Sequence, residues 1–427
     1  MADGRPSREG GRDGARLSVT VTQPGSLPPE EPGSEGALGR YLLLQKAGGL
    51  VAPLVTAVLA FLISGFVVFA TTKSIPDTLT TYKAIFEGAG LNWFLPWETC
   101  KDPCPPAIRL EQTLLVWVPL VLTGIAVAFA FRCGLFNIGG QGQYLAGAIA
   151  SIIIAAELPL HVDLSPIPLI LLTMVAAMAA GAFLAAIAGF LKATVGAHEV
   201  ITTIMLNWIV IWVGTYLFGF EGPLQNDQRE EIPASNFVHS DAKLTQGGVW
   251  GHPDLQGLPW ISLVIAFVSL VVYSLLLTRT TLGYEVRAVG HNPEAARYGG
   301  ISVARNYILA MAIAGLFAGL AGSLDVLGWK FRLDTTDFTS TIGFIGIAVA
   351  LLGRNTSLGI GLAALLFAAL QTGTSTRNLD PEIFPPELAT PLTIIIQGLI
   401  VLLVGADIIV LLLLRKLRRT RPREAAA

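Results

Sequence analysis

What most restricts this chain is a succession of apolar runs, each about as long as a lipid bilayer is thick. TLLVWVPLVLTGIAVAFAF at 113–131 and WISLVIAFVSLVVYSLLL at 260–277 hold no charged residue at all. Crossing the hydrocarbon core takes about 20 residues of helix. With no water there to satisfy the backbone, only helices and closed barrels span it. Barrel strands alternate apolar and polar residues at period two, and these runs do not alternate. The sequence therefore describes an all-α polytopic membrane protein. Its charge agrees: 14% of residues are charged, against about 25% in a soluble domain, and they sit in short islands between the runs.

We read about ten transmembrane helices, near 50–71, 113–132, 139–157, 166–190, 200–219, 259–278, 306–326, 340–353, 357–374 and 389–414. Lys and Arg favour the cytoplasmic side of such proteins. Placing the N-terminus inside puts Arg40, Lys46, Arg132, Lys192, Arg279, Arg287, Arg297, Arg305 and Arg354 there, together with RKLRRTRPRE at 415–424. Fewer basic residues fall outside, so the N- and C-termini are both expected to be cytoplasmic. Residues 1–44 have too few large apolar side chains to repay ordering and read as a disordered cytoplasmic tail. No apolar core directly follows a basic N-terminal cluster, so no cleavable signal peptide is expected. Residues 45–415 form the transmembrane domain, and 416–427 a basic cytoplasmic tail.

This topology makes 72–112 and 220–258 outer loops and 279–305 the longest inner one. The first outer loop contains TYKAIFEGAGLNWF, suited to a short interfacial helix, followed by CKDPC. Cys100 and Cys104 fall on the side where a disulfide persists; that pairing and two free thiols both stay open. Cys133 is placed near the inner face.

Several chemistries are excluded. No GxxxxGK[ST] occurs, so the chain binds no nucleotide through a P-loop. HEVIT at 198–202 lacks the second histidine of a helical zinc protease, and no other metal, cofactor or catalytic constellation is found. No span carries a row of arginines. Asp325 and Asp407 are the main acidic residues in or near the spans, where an ionisable group is a functional suspect by default. A proton-driven pump is expected to show more of them. The chain reads as a path through the membrane without its own engine.

Polar stretches interrupt the apolar pattern. FNIGGQGQYLAG at 136–147 carries glycines and amides able to break a helix and face a cavity; the competing reading is a tight turn built for close packing. In AHEVITTIMLNW at 197–208, Thr202, Thr203 and Asn207 either face a pathway or bond neighbouring helices together. TSTIGFIGIAVALLGRNTSLGIG at 339–361 has glycines spaced for close helix contact. From these, Asn137, Gln141, Gln143, Asn207, Trp208 and Phe344 are candidate residues of a substrate pathway. The first and third stretches are loosely similar, each placing glycines ahead of a small-residue helix. Helices 2–5 and 7–10 are thereby expected to form an inverted repeat, a common transporter plan with the solute path at the junction.

The inner loop contains RAVGHNPEAARYGGIS at 287–302. Asn292 is a favoured N-cap, Pro293 suits the first helical position, and Glu294 complements the helix dipole. Ala295, Ala296 and Arg297 continue the turn, and Gly299-Gly300 can end it with a left-handed residue. Such a helix has about two turns and is too short to stand alone. Its surface is less apolar than membrane anchoring favours. It suits a groove of another protein, with a solvated connector as the alternative.

Those residues carry a resemblance. TTLGYEVRAVGHNPEAARYGGIS at 280–302, LTGIAVAFAFRCGLFNIGGQGQYLAG at 122–147 and GFIGIAVALLGRNTSLGI at 343–360 resemble the permeases of bacterial ABC importers for ribose-like sugars and nucleosides. HEVITTIMLNWI at 198–209 is most similar to the longer permease subunit of nucleoside importers. The resemblance spans roughly 45–415 and leaves out the N-terminal tail and CKDPC. It implies a transmembrane subunit paired with a second permease, probed from outside by a solute-binding lipoprotein and driven by cytoplasmic ATPase subunits. ATP-Mg would be held by that partner ATPase, and no cofactor by this chain. Gly290, Asn292, Pro293, Glu294, Ala295, Ala296, Arg297 and Gly300 would form the ATPase-coupling segment. Many relatives carry Glu where this chain has Gln141, which leaves open whether that stretch meets the solute or only shapes the path. The resulting expectation is a nucleoside permease in a bacterial inner membrane that is not itself an enzyme. A simple-sugar permease is the alternative within the class, and an ion-coupled carrier the alternative outside it.

Overall fold

The computed structural model describes residues 61–94, 105–162, 164–226, 231–244, 259–375 and 385–405, with Val58, Asn378 and Ile383. The tails 1–44 and 416–427, Cys100, Cys104 and Asp407 lie outside the described residues, as do the expectations resting on them.

Among the described residues the regular structure is helical, apart from two isolated bridges, Gln225 with Ser235 and Ala234 with Asp334. Helix α1 is Phe61–Thr72, and α2, Ile75–Gly88, overlaps the stretch expected to form a short helix. Then come α3 Pro105–Arg132, α4 Gly140–Ile152, α5 Pro166–Val195 and α6 Glu199–Phe218. Helix α7 is Trp260–Arg279, α8 Thr281–His291, α9 Pro293–Tyr298 and α10 Val303–Asp325. The last are α11 Ile342–Leu352, α12 Ser357–Gly373 and α13 Ala389–Gly405. Helices α4 and α10 run on through π turns, Ile153–Glu157 and Val326–Lys330.

Each of the ten stretches expected to span contains helix. Six are long and apolar enough to cross a bilayer: Pro105–Arg132, Gly140–Leu160, Pro166–Val195, Glu199–Phe218, Trp260–Arg279 and Val303–Lys330. Phe61–Thr72, Asp337–Leu352, Ser357–Gly373 and Pro391–Val404 are apolar but shorter.

Burial follows the absence of a polar face. A helix apolar all round is a core helix, and α3 is buried along most of its length. It packs against α10, α11 and α12, while α10 packs against α3, α4 and α5. Small residues allow the tightest contact. A Cβ added to Gly315 would lie 2.2 Å from the Gly181 carbonyl oxygen, and one on Gly319 2.2 Å from that of Ala177. Small residues four apart let backbones approach and gain dispersion where lipid offers no hydrophobic drive. Helices α5 and α6 expose large apolar side chains such as Ile167, Phe183, Ile201 and Trp212, as lipid or a partner requires.

The loop at 279–305 holds more helix than the single short one expected. Residues Thr281–His291 form α8 ahead of α9, capped by Thr280 Oγ1, which accepts from the Gly283 N–H at 3.0 Å. The signal was present: Leu282, Val286 and Val289 repeat at helical spacing, and Val286 and Val289 are buried.

Candidate functional site

The two glycine-rich stretches meet. The N-terminus of α4 lies against that of α11, where a Cβ on Gly343 would fall 2.3 Å from Gln141 Cα. Glycine is needed on the α11 side because the α4 backbone occupies the space a side chain would take.

The amides around this point are buried and bonded to one another. Asn137 Nδ2 donates to Gln143 Oε1 and Gln143 Nε2 to Asn137 Oδ1, both at 2.9 Å. Asn137 Oδ1 also accepts from the Gly139 N–H at 3.0 Å, which closes the turn into α4. From α6, Asn207 Oδ1 accepts from the Gly142 N–H at 2.8 Å and Asn207 Nδ2 donates to the Ile138 carbonyl at 3.0 Å. Gln141 reaches the other way. Its Oε1 accepts from the Gly343 N–H at 2.8 Å, and its Nε2 donates to Ser340 Oγ at 3.3 Å. First-turn N–H groups have no partner inside their own helix, and these side chains supply them.

The pathway candidates therefore divide. Asn137, Gln141, Gln143 and Asn207 come together in one lattice that pins α4 between α6 and α11. Trp208 and Phe344 stand apart at 54% and 40% exposure. Of the two roles read for Asn207, it fills that of helix-to-helix bonding in this conformation. Ser340 belongs to the lattice and was not singled out from sequence, because nothing in its local pattern places it beside a residue 199 positions away. Two helix N-termini converge here, each carrying partial positive charge. An acceptor is favoured between them, and Gln141 Oε1 provides a neutral one.

The loop at 279–305 is built as its punctuation requires. Asn292 Oδ1 accepts from the N–H groups of Glu294 and Ala295 at 3.0 and 3.1 Å. At the other end the Ile301 N–H reaches the Ala296 carbonyl and the Gly300 N–H that of Arg297, with Gly300 left-handed at φ 82°. These are the paired bonds of a Schellman cap. Ala296 is buried and fastens α9 to its own chain. Glu294 and Arg297 pair loosely at 3.6 Å with both side chains exposed, and Tyr298 is 93% exposed. A short helix with both ends capped thus presents an acid, a base and an aromatic ring outward.

A third cluster surrounds Asp325. The Tyr144 hydroxyl and the Trp329 indole N–H donate to its two oxygens. Lys330 Nζ lies 2.9 Å from Asp325 Oδ2 and 2.7 Å from Asp337 Oδ1. Asp325 was recognisable as an intramembrane acid, but Lys330 was not recognisable as its partner. Residues five apart do not share a face of an α-helix; the π turn brings them together. This cluster ties α4 to the end of α10 and leaves the acid paired.

Comparison with known proteins follows the same lines. The family described as the branched-chain amino acid transport system / permease component matches residues 109–405. The nucleoside ABC transporter permease protein NupB of Lactococcus lactis subsp. cremoris (strain MG1363) is 36% identical over 75% of this chain and 85% of its own length. The guanosine ABC transporter permease protein NupP of Bacillus subtilis (strain 168) is 35% identical over 72% of this chain and 84% of its own. The glucose ABC transporter permease protein TsgB13 of Haloferax volcanii is 35% identical over 62% and 69%. No solved structure matches.

Proposed function

The chain belongs to the branched-chain amino acid transport system permease family, and from that premise we propose that it is the transmembrane subunit of an ATP-driven importer of nucleosides. The observation that carries the coupling role is α9, a doubly capped helix with exposed Glu294, Arg297 and Tyr298 on a chain that lacks a P-loop. ATP is then bound with its magnesium and hydrolysed by a partner ATPase that receives α9. This chain performs no covalent chemistry. It contributes the path and the conformational change.

In this reading the ten helical stretches all span the inner membrane of a bacterium, with both termini cytoplasmic and α8–α9 on the inner side. Helices α3–α6 and α10–α13 form two inverted units. The reciprocal packing supports this: α3 sits on α11 and α12 as α10 sits on α4 and α5. The α4–α11 contact then lies on the axis between the units, where solute sites of such transporters are found. A second permease, shorter than this one, completes the path, and a solute-binding lipoprotein delivers from outside.

The named solutes of NupB and NupP favour a nucleoside, and that of TsgB13 favours a simple sugar as the second reading. Uptake of labelled uridine, adenosine and glucose into a strain lacking this chain, with and without its return, separates them. Restoration of nucleoside uptake alone is expected; restoration of glucose uptake alone would replace the reading with the sugar permease.

A further inference from the structure

We propose that Arg132 and the turn behind it, Cys133 and Gly134, form the joint that carries movement of the docking helix into the α11–α12 turn, with Arg132 and Tyr273 as positioning residues for transport. The inference rests on α9 being the ATPase-docking helix. It names which parts of the membrane domain that helix moves.

Contacts of different kinds converge at this joint. The first is backbone against backbone. A Cβ on Gly290, in the last turn of α8, would lie 2.2 Å from the Arg132 carbonyl oxygen. Gly134 ends α3 in the left-handed region at φ 76°, and its Cβ position is 3.4 Å from Gly290 Cα. With no side chain between them to yield, α8 cannot advance without displacing the end of α3, because packed interiors transmit strain. The second kind fastens α10 to both. Cys133 is 1% exposed, with Sγ 3.7 Å from the Asn306 carbonyl, and Asn306 Nδ2 donates to Glu285 Oε2 of α8 at 2.9 Å.

The third reaches the far side of α3. Arg132 Nη2 donates to the Asn355 carbonyl at 2.8 Å, and the Tyr273 hydroxyl of α7 donates to the same oxygen at 2.8 Å. Asn355 is the second of two successive left-handed residues that are not glycine, Arg354 at φ 50° and Asn355 at φ 52°. Such backbone persists only where its surroundings over-determine it. The turn's own bonds, from the Arg354 N–H to the Leu351 carbonyl and from the Asn355 N–H to that of Ala350, are joined here by two donors on one carbonyl, both on helices at the joint. The α11–α12 turn is therefore also tied to the end of α3. At its other end α11 carries Gly343, bonded to Gln141. Movement of α8 is passed by this route to the lattice at the proposed solute path.

The test uses the whole complex, purified by a tag on this chain and reconstituted in liposomes, with Cys100 and Cys104 replaced by Ser. Arg132→Gln, Arg132→Lys and Tyr273→Phe are compared with the parent. We expect Arg132→Gln to lower uridine or adenosine carried per ATP hydrolysed at least ten-fold while hydrolysis stays within two-fold. Tyr273→Phe lowers that ratio several-fold, and Arg132→Lys less than Arg132→Gln. N-ethylmaleimide labelling of Cys133, read by mass spectrometry, needs no solute. In the parent it stays slow both without nucleotide and with ATP and vanadate. In Arg132→Gln it rises at least ten-fold in the ATP-vanadate state alone, as the joint parts. Faster labelling in both states, or hydrolysis and uptake falling in proportion, would show a merely structural role and overturn the proposal. So would an unchanged ratio with state-independent labelling. Glu294→Ala/Arg297→Ala run alongside keeps the premises apart: normal hydrolysis in that variant refutes docking by α9, whereas reduced hydrolysis there with a fully coupled Arg132→Gln refutes only the joint.

Discussion

At the scale of single residues, the buried amides show how a hydrogen-bonding group earns its place in an apolar interior. A buried N–H left without a partner costs about 1–3 kcal/mol. Gln141→Leu strips the Gly343 N–H of its acceptor, so thermal unfolding of the purified complex should register a loss of that order. Gln141→Glu keeps an acceptor between two helix N-termini and should unfold closer to the parent. Little of this was legible in the sequence. Asn137, Gln141, Gln143 and Asn207 stood out as polar residues in apolar surroundings, but whether they faced a lumen or each other depended on partners far along the chain. Asn292 and Gly300 were legible, because a cap acts on neighbours two to five positions away.

At the scale of elements, turns and breaks decide what meets what. The Asp325–Lys330 pair exists because a π turn replaces the α-helical repeat at Val326–Lys330. Removing one member of a buried pair costs about 3–5 kcal/mol, while replacing both is often near neutral. Lys330→Met should therefore destabilise the complex strongly, and adding Asp325→Asn should recover part of the loss in a double-mutant cycle read by thermal unfolding, Asp337 being left without its Lys330 contact. A π turn leaves no mark in composition, which is why this partnership escaped sequence reasoning. Helix α8 is hard to read from sequence for another reason. The polar residues between Leu282, Val286 and Val289 dilute their helical spacing. For α9 itself, Asn292→Ala removes an N-cap worth about 1 kcal/mol. Such a loss frays a helix this short, so ATP hydrolysis by the complex should fall without loss of assembled protein.

At the scale of the whole molecule, the fold class and the membrane were written in the apolar runs, since backbone satisfaction in lipid admits few other structures. The order of helices followed from the same runs. Their packing did not, because α3 and α5 are apolar on every side and carry no stripe to say which face is inward. Small residues settle that matter: Gly181, Gly315 and Gly319 are where backbones touch. Gly319→Val should overpack this contact at a cost of about 1–3 kcal/mol, seen as a lower unfolding temperature of the complex.

Helix α9 is the proposed place where a partner's ATP cycle takes hold of this chain. Glu294 and Arg297 are exposed and pair only loosely, and an exposed ion pair contributes about 0–1 kcal/mol to folding. Their replacement therefore tests docking with little effect on the fold. The direct measurement is ATP hydrolysis by the reconstituted complex carrying Glu294→Ala/Arg297→Ala, at matched amounts of assembled protein. A fall of at least ten-fold is the result predicted. Turnover equal to the parent would contradict it.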